Sequence, residues 1–123
     1  MNALKLGLPA VILFASACAT TPPVPSANLQ AAQQAVANAE RVDAAAHAGT
    51  ELGEARAKLS SAQRAVDQKD MVVAAQLADE ARAAAELAAA RSDAFVAIAV
   101  NQDMKRGTAT LVEEMQRKTG EAK

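Results

Sequence analysis

The feature that most limits how this chain folds is its alanine content, which is densest in the run AAQLADEARAAAELAAAR at residues 74–91. Alanine has the highest helix propensity of all residues, and most residues that interrupt the run are also good helix formers. A methyl group buries little apolar area, and the 123-residue chain has no Trp, no Tyr and two Phe. These properties predict one small all-α domain with closely packed helices and no deep pocket.

Three helical segments are predicted from the spacing of apolar residues and from signals at their ends. The first runs from an N-cap at Ser26 to about Ala48, where Gly49 ends it. Thr50 is the predicted N-cap of the second segment, and Asp70 is the predicted N-cap of a long third helix. Because the connections are short, consecutive helices should be antiparallel neighbours in a helical hairpin or three-helix bundle.

The C-terminal part of the chain is expected to form a separate short helix. Gly107 is predicted to end or kink the long helix. Thr110 and Glu113 match a capping box, which predicts a short fourth helix to about Lys118 and a frayed tail after it. The predicted organisation is a signal peptide (1–17), a lipidated Cys and Pro-rich tether (18–25), an alanine-rich helical domain (26–106), and a short helix and tail (107–123).

The apolar seam of the bundle is expected to contain two large side chains among many small ones. Leu59 and Leu77 occur in stripes of Ala and Val at steps of three and four residues. If both side chains are buried, either one should contribute a large share of the stability of so small a domain.

The N-terminal residues have the organisation of a secretory signal. Lys5 provides the positive end, residues 6–15 form the apolar core, and residues 15–17 are small, as signal peptidases require. A transmembrane helix needs roughly 20 apolar residues, so this run is too short to span a bilayer. Residues 1–17 are therefore predicted to be a cleaved signal peptide.

The one cysteine of the chain follows the small residues directly. The junction ASAC resembles a bacterial lipobox, with Ala15 in the place of the usual large aliphatic residue. This resemblance implies that Cys18 is the first residue of the mature protein and carries lipid on its sulfur, which gives a stable membrane anchor. The alternative is an ordinary secreted protein, cleaved at Ala17 or nearby, in which the thiol is incidental.

The segment after the cysteine is predicted to be a spacer. Residues 18–25 contain three prolines, which favour an extended polyproline conformation and a semi-rigid tether. Residue 19 is Ala, whereas Asp at this place resembles an inner-membrane retention signal in Gram-negative lipoproteins. The resemblance therefore implies the outer membrane, with the domain on its periplasmic face.

Charge and residue types argue against several classes of function. The formal net charge is -1 and there is no basic block, so nucleic acid is not an expected partner. One Cys and one His cannot form a zinc site, and neither a metal nor another cofactor is expected. His47 is expected in the last turn of the first helix, where it complements the helix dipole. Ser60 and Ser61 have no base near them in sequence, and the adjacent acids at 79–80 and 113–114 diverge on a helix, so no enzyme is predicted.

The second and third predicted helices share a pattern in which a charged residue followed by Leu recurs among small residues. Its members are Glu51, Leu52, Ala55, Lys58, Leu59, Ala62, Asp70, Leu77 and Ala78. In this pattern the chain resembles the bacterial domain-of-unknown-function family 4398, with Thr50 where the family commonly has Pro. With the first helix included, the resemblance covers roughly residues 26–94. It implies an envelope lipoprotein with no catalytic residues and no known ligand.

The stretch DAFVAIAVNQ, which begins after Ser92, is apolar on nearly all sides. The lengths of the first two helices predict that everything after about Ser92 lacks a partner within the three-helix unit. This stretch is therefore predicted to bind a second copy or another envelope protein. The residues of the predicted binding face are Phe95, Val96, Ile98 and Val100. The alternative is that the short fourth helix folds back and covers part of it.

The sequence therefore favours a non-catalytic lipoprotein that acts as a structural or adaptor module through its helical surface. The alternative is a periplasmic carrier that binds an apolar small molecule between its helices. A carrier needs an apolar cavity of roughly 300–1,000 Å³, which closely packed alanine-lined helices are not expected to provide.

Overall fold

The computed structural model describes residues 22–121, and this part of the chain forms four α-helices. The helices are α1 (Ser26–Arg41), α2 (Ala44–His47), α3 (Gly49–Asp67) and α4 (Met71–Glu121). No strand occurs within residues 22–121, which confirms the all-α prediction. The predicted signal peptide, Cys18 and the first half of the tether lie outside the described residues.

Helices α1 and α4 run parallel to each other. Near the start of α1, the Asn28 amide donates a hydrogen bond of 2.8 Å to Asp79. Just beyond its other end, the backbone carbonyl of Val42 accepts a hydrogen bond from the Ser92 hydroxyl. From the first contact to the second, the residue number increases on both sides, so the two helices are parallel.

Helix α3 runs antiparallel to α4. At the start of α3, Glu51 forms an ion pair with Arg91, and two turns later Lys58 lies 2.7 Å from Glu80. The lengths of the predicted helices place Glu51 near Ala88, which lies within one helical turn of the observed partner. The up-down-up arrangement of α1, α3 and the first part of α4 confirms the predicted three-helix bundle.

The predicted first helix over residues 26–48 is wrong, because the structure divides it into α1 and α2. Asp43 lies between them with a left-handed φ of 56°. Asp is among the few residues other than Gly that adopt this conformation readily. The break takes the carbonyl of Val42 out of the hydrogen-bonding pattern of the helix. This carbonyl instead accepts a hydrogen bond from the Ser92 hydroxyl. Tertiary contact with α4 thus satisfies the backbone at this turn.

Of the predicted helix starts, only the N-cap of α4 is confirmed. Ser26 and Thr50 lie inside the first turns of α1 and α3, and Gly49 begins α3 instead of ending the first helix. Neither helix start has a side-chain cap, and the first regular helical bonds run from the Leu29 amide to the Pro25 carbonyl and from the Leu52 amide to the Ala48 carbonyl. Asp70, by contrast, accepts a hydrogen bond of 3.2 Å from the Val73 amide, which is the expected N-cap geometry.

Helix α4 continues through Gly107 to Glu121, so the predicted short fourth helix and its boundary are wrong. A single glycine costs about 1 kcal/mol in a helix interior, which does not stop a helix whose flanking residues favour it. The Thr110 hydroxyl donates to the carbonyl of Arg106 at 3.1 Å, a bond within the continuous helix rather than a cap. The C-terminal residues therefore do not fold back onto the stretch that begins at Asp93.

The core of the bundle consists almost entirely of alanine methyl groups. Its fully buried alanines include Ala32, Ala39, Ala44, Ala55, Ala62, Ala74, Ala78, Ala81, Ala85 and Ala88. The largest fully buried side chain of the described residues is Leu52. Leu59 and Leu77 are partly buried and pack against the core clusters, Leu59 against both, so they border the seam without being fully buried. Small interior residues bring the helix axes close together, which leaves no central volume for them.

Candidate partner-binding surface

The second part of α4 extends beyond the bundle, and we refer to residues 93–121 as the projecting segment. Ser92 is the last buried residue of the helix, and every residue from 93 to 121 is exposed. At 1.5 Å per residue, the projecting segment is about 43 Å long. The prediction that residues after about Ser92 lack a partner within the bundle is therefore confirmed, with the exception of Phe95, which stacks on His47.

The four residues predicted to bind a partner lie in the first two turns of the projecting segment, and we call them the collar. The collar consists of Phe95, Val96, Ile98 and Val100. Each side chain is between 48% and 58% exposed. Because successive helical residues rotate by about 100°, Phe95 and Ile98 lie on one side of the helix, and Val96 and Val100 lie on another. The collar therefore spans about 200° of the helix circumference, which is wider than a single helix face.

His47 packs against the collar. It is the last residue of α2, which places it at a helix C-terminus as predicted. Its ring stacks on that of Phe95, with 4.2 Å between the ring centroids and an interplanar angle of 19°. The sequence did not indicate this contact, since it depends on the break at Asp43 and on the register of α4. The stack joins α2 to the base of the projecting segment while Phe95 stays half-exposed.

A second apolar surface, which we call the distal stripe, runs further along the projecting segment. Its members are Ala97, Val100, Met104, Thr108, Leu111 and Met115. They follow each other at steps of three, four, four, three and four residues, which matches five turns of an ideal helix and gives a stripe parallel to the helix axis. Its four large side chains are between 51% and 67% exposed. The sequence does not reveal this stripe, because the predicted helix end at Gly107 divides it.

The distal stripe is not a continuation of the face that α4 buries in the bundle. The buried face includes Ala85 and Ser92, and its extension into the projecting segment carries Asp103, Arg106 and Thr110. The distal stripe is rotated from that line by about 120° around the helix axis. A helix that extended α1 or α3 beyond the bundle would therefore contact the polar side chains of α4. The distal stripe does not face the direction of α1 and α3.

The charged groups of the bundle mainly connect its helices. Lys58 lies 2.7 Å from Glu80 on α4 and 3.5 Å from Glu54 on its own helix. The hydrogen bond with Glu80 raises the pKa of Lys58. Hydrogen bonds from Lys58 and Gln76 lower the pKa of Glu80. This network lines an open surface groove of about 410 Å³ that also includes Leu87.

The polar residues considered as catalytic candidates are engaged in helix contacts. Asp79 accepts a hydrogen bond from Asn28 of α1, whereas its neighbour Glu80 accepts one from Lys58 of α3. The two carboxylates therefore lie on different sides of α4. Arg64 donates to both Ser60 and Ser61. Within residues 22–121, no group of three or more His, Cys, Asp or Glu residues could hold a metal ion. None of the described helices is both long and apolar enough to cross a membrane.

These features define a class: a small alanine-packed three-helix bundle whose last helix extends far beyond it. The family described as "Domain of unknown function (DUF4398)" matches residues 27–104, and the chain belongs to this family. No curated protein and no solved structure matches the chain. The match continues about ten residues past the end of the resemblance predicted from sequence, to Met104, so the family domain includes the collar.

Proposed function

We propose that this protein is a non-catalytic lipoprotein, anchored in the outer membrane by lipid on Cys18, that acts as a structural or adaptor module in the periplasm. The observation that carries the proposal is the projecting segment. It contributes no buried residue to the bundle, yet it bears the collar and the distal stripe. Apolar surface of this extent on a soluble domain is characteristic of a binding site.

The direction of the helices supports a tethered adaptor. The contact between Asn28 and Asp79 places the start of α1 near the start of α4. From Asp79 to Glu121, α4 rises by about 63 Å, and an extended tether over residues 18–25 adds up to about 25 Å. An anchor at Cys18 would therefore leave the collar and the distal stripe far from the point of attachment.

The alternative of an apolar-ligand carrier has less support. The interior of the bundle is filled by alanine methyl groups and Leu52. The groove between α3 and α4 is open to solvent, and Glu51, Glu54, Lys58 and Glu80 are among its lining residues. An apolar ligand in this groove would meet charged side chains and water, whereas carrier sites enclose most of the ligand surface.

The anchor is tested by replacing the cysteine. Cys18→Ser should move the protein from the membrane fraction to the soluble periplasmic fraction and abolish incorporation of labelled palmitate. Ala19→Asp is the matched variant: it should still incorporate palmitate but appear in the inner rather than the outer membrane. Full-length Cys18→Ser protein that stays in the membrane fraction would rule out the lipid anchor.

The adaptor role is tested at the collar. Phe95→Ser combined with Ile98→Ser should reduce crosslinking of the chain to other proteins in intact envelopes, with unchanged anchoring and helicity. Val24→Ser combined with Val72→Ser is the matched control, since both valines are exposed and lie away from the collar. Equal crosslinking by both double variants would show that the collar is not the contact surface.

A further inference from the structure

We infer that the distal stripe binds the distal stripe of a second copy, with the two projecting segments antiparallel and a twofold axis between Gly107 and Thr108. This inference rests on the proposed function in one respect, since it names a partner for the projecting segment. It does not depend on the lipid anchor.

The order of side chains along the distal stripe is complementary to itself in this register. Val100 of one copy meets Met115 of the other, and Met104 meets Leu111. The small residues Gly107 and Thr108 lie at the axis, where the two backbones approach most closely. Each large apolar side chain therefore contacts a large one, and the small residues contact each other.

The length of the projecting segment fits the same register. The axis between Gly107 and Thr108 lies within one residue of the midpoint of residues 93–121. The end of the second copy, at Glu121, therefore reaches Ala94, directly above Ser92, where burial in the bundle ends. The segments overlap over nearly their full length, and the two bundles lie at opposite ends without colliding.

Charge favours the antiparallel over the parallel arrangement. In a parallel pair the contact would continue beside the bundle, where the same side of α4 carries Asp79 and Asp93, each next to its own copy, and Glu86, whose charge is offset by Arg82. The antiparallel pair avoids these contacts and places Lys118 within one helical turn of Asp93 of the second copy.

The remaining charges of the projecting segment nearly cancel. The segment contains four basic and five acidic residues. In the antiparallel pair Asp103 approaches Glu114 of the second copy, but Arg106 lies 3.1 Å from Asp103 and offsets its charge. Charge repulsion across the pair is therefore small.

The contact area predicts a reversible dimer. A helix about 11 Å in diameter and about 43 Å long has roughly one third of its surface facing a paired helix, which is about 500 Å² per copy. The total of about 1,000 Å² lies at the lower end of specific interfaces. Dimerisation should therefore depend on protein concentration.

The first test measures mass in solution. The full-length Cys18→Ser chain, which cannot carry lipid, should shift from one to two copies in light scattering between about 1 μM and about 1 mM. Met104→Glu combined with Leu111→Glu should abolish the twofold mass. The control is Gln102→Glu combined with Ala109→Glu, which adds the same charge on the opposite side of the helix and should still dimerise. A monomer at all concentrations, or equal loss in both double variants, would overturn the inference.

The second test measures orientation with a short bifunctional maleimide in the Cys18→Ser background. Val100→Cys and Met115→Cys should each give little crosslinked dimer alone, but an equimolar mixture of the two should give a strong dimer band. Efficient crosslinking of Met115→Cys alone would indicate a parallel pair and overturn the antiparallel register.

The two proposals fail in different measurements. If the lipid-anchor proposal is wrong, full-length Cys18→Ser protein stays in the membrane fraction, and the mass measurements are unaffected. Failure of dimerisation would leave fractionation unaffected. In the antiparallel dimer the starts of the two α1 helices are about 90 Å apart, so tethers to one membrane would require the dimer to lie along its surface.

Discussion

At the scale of single residues, alanine determines how closely the three helices of the bundle approach. Ala78, Ala81, Ala85 and Ala88 follow each other at steps of three and four along α4, and all are fully buried. Protein interiors are close-packed, so a larger side chain at such a position has no void to occupy. Alanine here is a structural requirement as well as a helix former.

Enlarging one buried alanine should therefore be costly. We expect Ala85→Leu to destabilise the bundle by about 1–3 kcal/mol or more, because the leucine would force α4 away from its neighbours. Ala90→Leu is the matched control, since residue 90 is exposed on the same helix and tolerates the larger side chain. Denaturant unfolding followed by circular dichroism measures both. Equal stabilities of the two variants would contradict the close packing of α4.

The opposite substitution tests the largest buried side chain. Leu52 is 1% exposed and packs in the larger core cluster, so Leu52→Ala should reduce the free energy of unfolding by about 2–5 kcal/mol. Leu87→Ala removes the same atoms from a side chain that is 47% exposed and should have a much smaller effect. Similar losses in the two variants would show that Leu52 does not centre the core.

At the scale of the helical elements, the turn between α3 and α4 has the geometry of a Schellman motif. The Asp70 amide donates to the carbonyl of Ala65, and the Lys69 amide donates to that of Val66. Lys69 carries a left-handed φ of 61°, at the position where helices commonly have glycine. The turn therefore reverses the chain at the expense of a strained lysine conformation.

Replacing this lysine should stabilise the protein. Lys69→Gly relieves a left-handed strain of about 1–2 kcal/mol, and the greater freedom of glycine in the unfolded chain offsets part of the gain. We expect a net increase of roughly 0.5–1 kcal/mol and a higher Tm in thermal unfolding. Gln68→Gly is the control, because Gln68 is right-handed and gains nothing from glycine. A lower Tm for Lys69→Gly would contradict the left-handed turn.

The contact between Lys58 and Glu80 should make stability depend on pH. Hydrogen bonding to Lys58 lowers the pKa of Glu80 below its ordinary value of 4.5. The ionised carboxylate therefore stabilises the fold above that pH, and the contribution is lost as the pH falls through the lowered pKa. Wild type should exceed Glu80→Gln in stability at neutral pH, and the difference should shrink below pH 4.5. Glu113→Gln, outside the bundle, is the control for removing a carboxylate that does not contact Lys58.

At the scale of the whole molecule, the chain consists of a folded bundle and a helix that extends far from it. Buried residues occur from Ala32 to Ser92 and not within residues 93–121. The hydrogen bond from Ser92 to Val42 is near the last contact between α4 and the rest of the bundle. Stability and the proposed partner binding are therefore assigned to different parts of one continuous helix.

Truncation should separate these two roles. A chain that stops after Ser92 should unfold with a Tm within a few degrees of the full chain, because no buried residue is removed. It should lose the stack between His47 and Phe95 and all concentration-dependent dimerisation. Unfolding of the truncated chain would show that the projecting segment is part of the cooperative unit and would contradict this division.

The candidate site was only partly predictable from sequence. The collar could be located because the run from Phe95 to Val100 is apolar on all sides and because the predicted lengths of the first two helices end before it. The distal stripe was missed because Gly107 and the capping-box pattern of Thr110 are strong local signals for a helix end. In the structure the favourable residues on both sides outweigh them, and α4 continues.

The sequence by itself determined the helical class, the bundle, the approximate register of α3 on α4 and the point where burial ends. These properties follow from helix propensity, the periodicity of small residues and helix lengths, which are local quantities. Only the tertiary structure decided the break at Asp43, the positions of Leu59 and Leu77 at the edge of the core, and the stack of His47 on Phe95. Each of these depends on the distance between helix axes, which all the packed alanines set together.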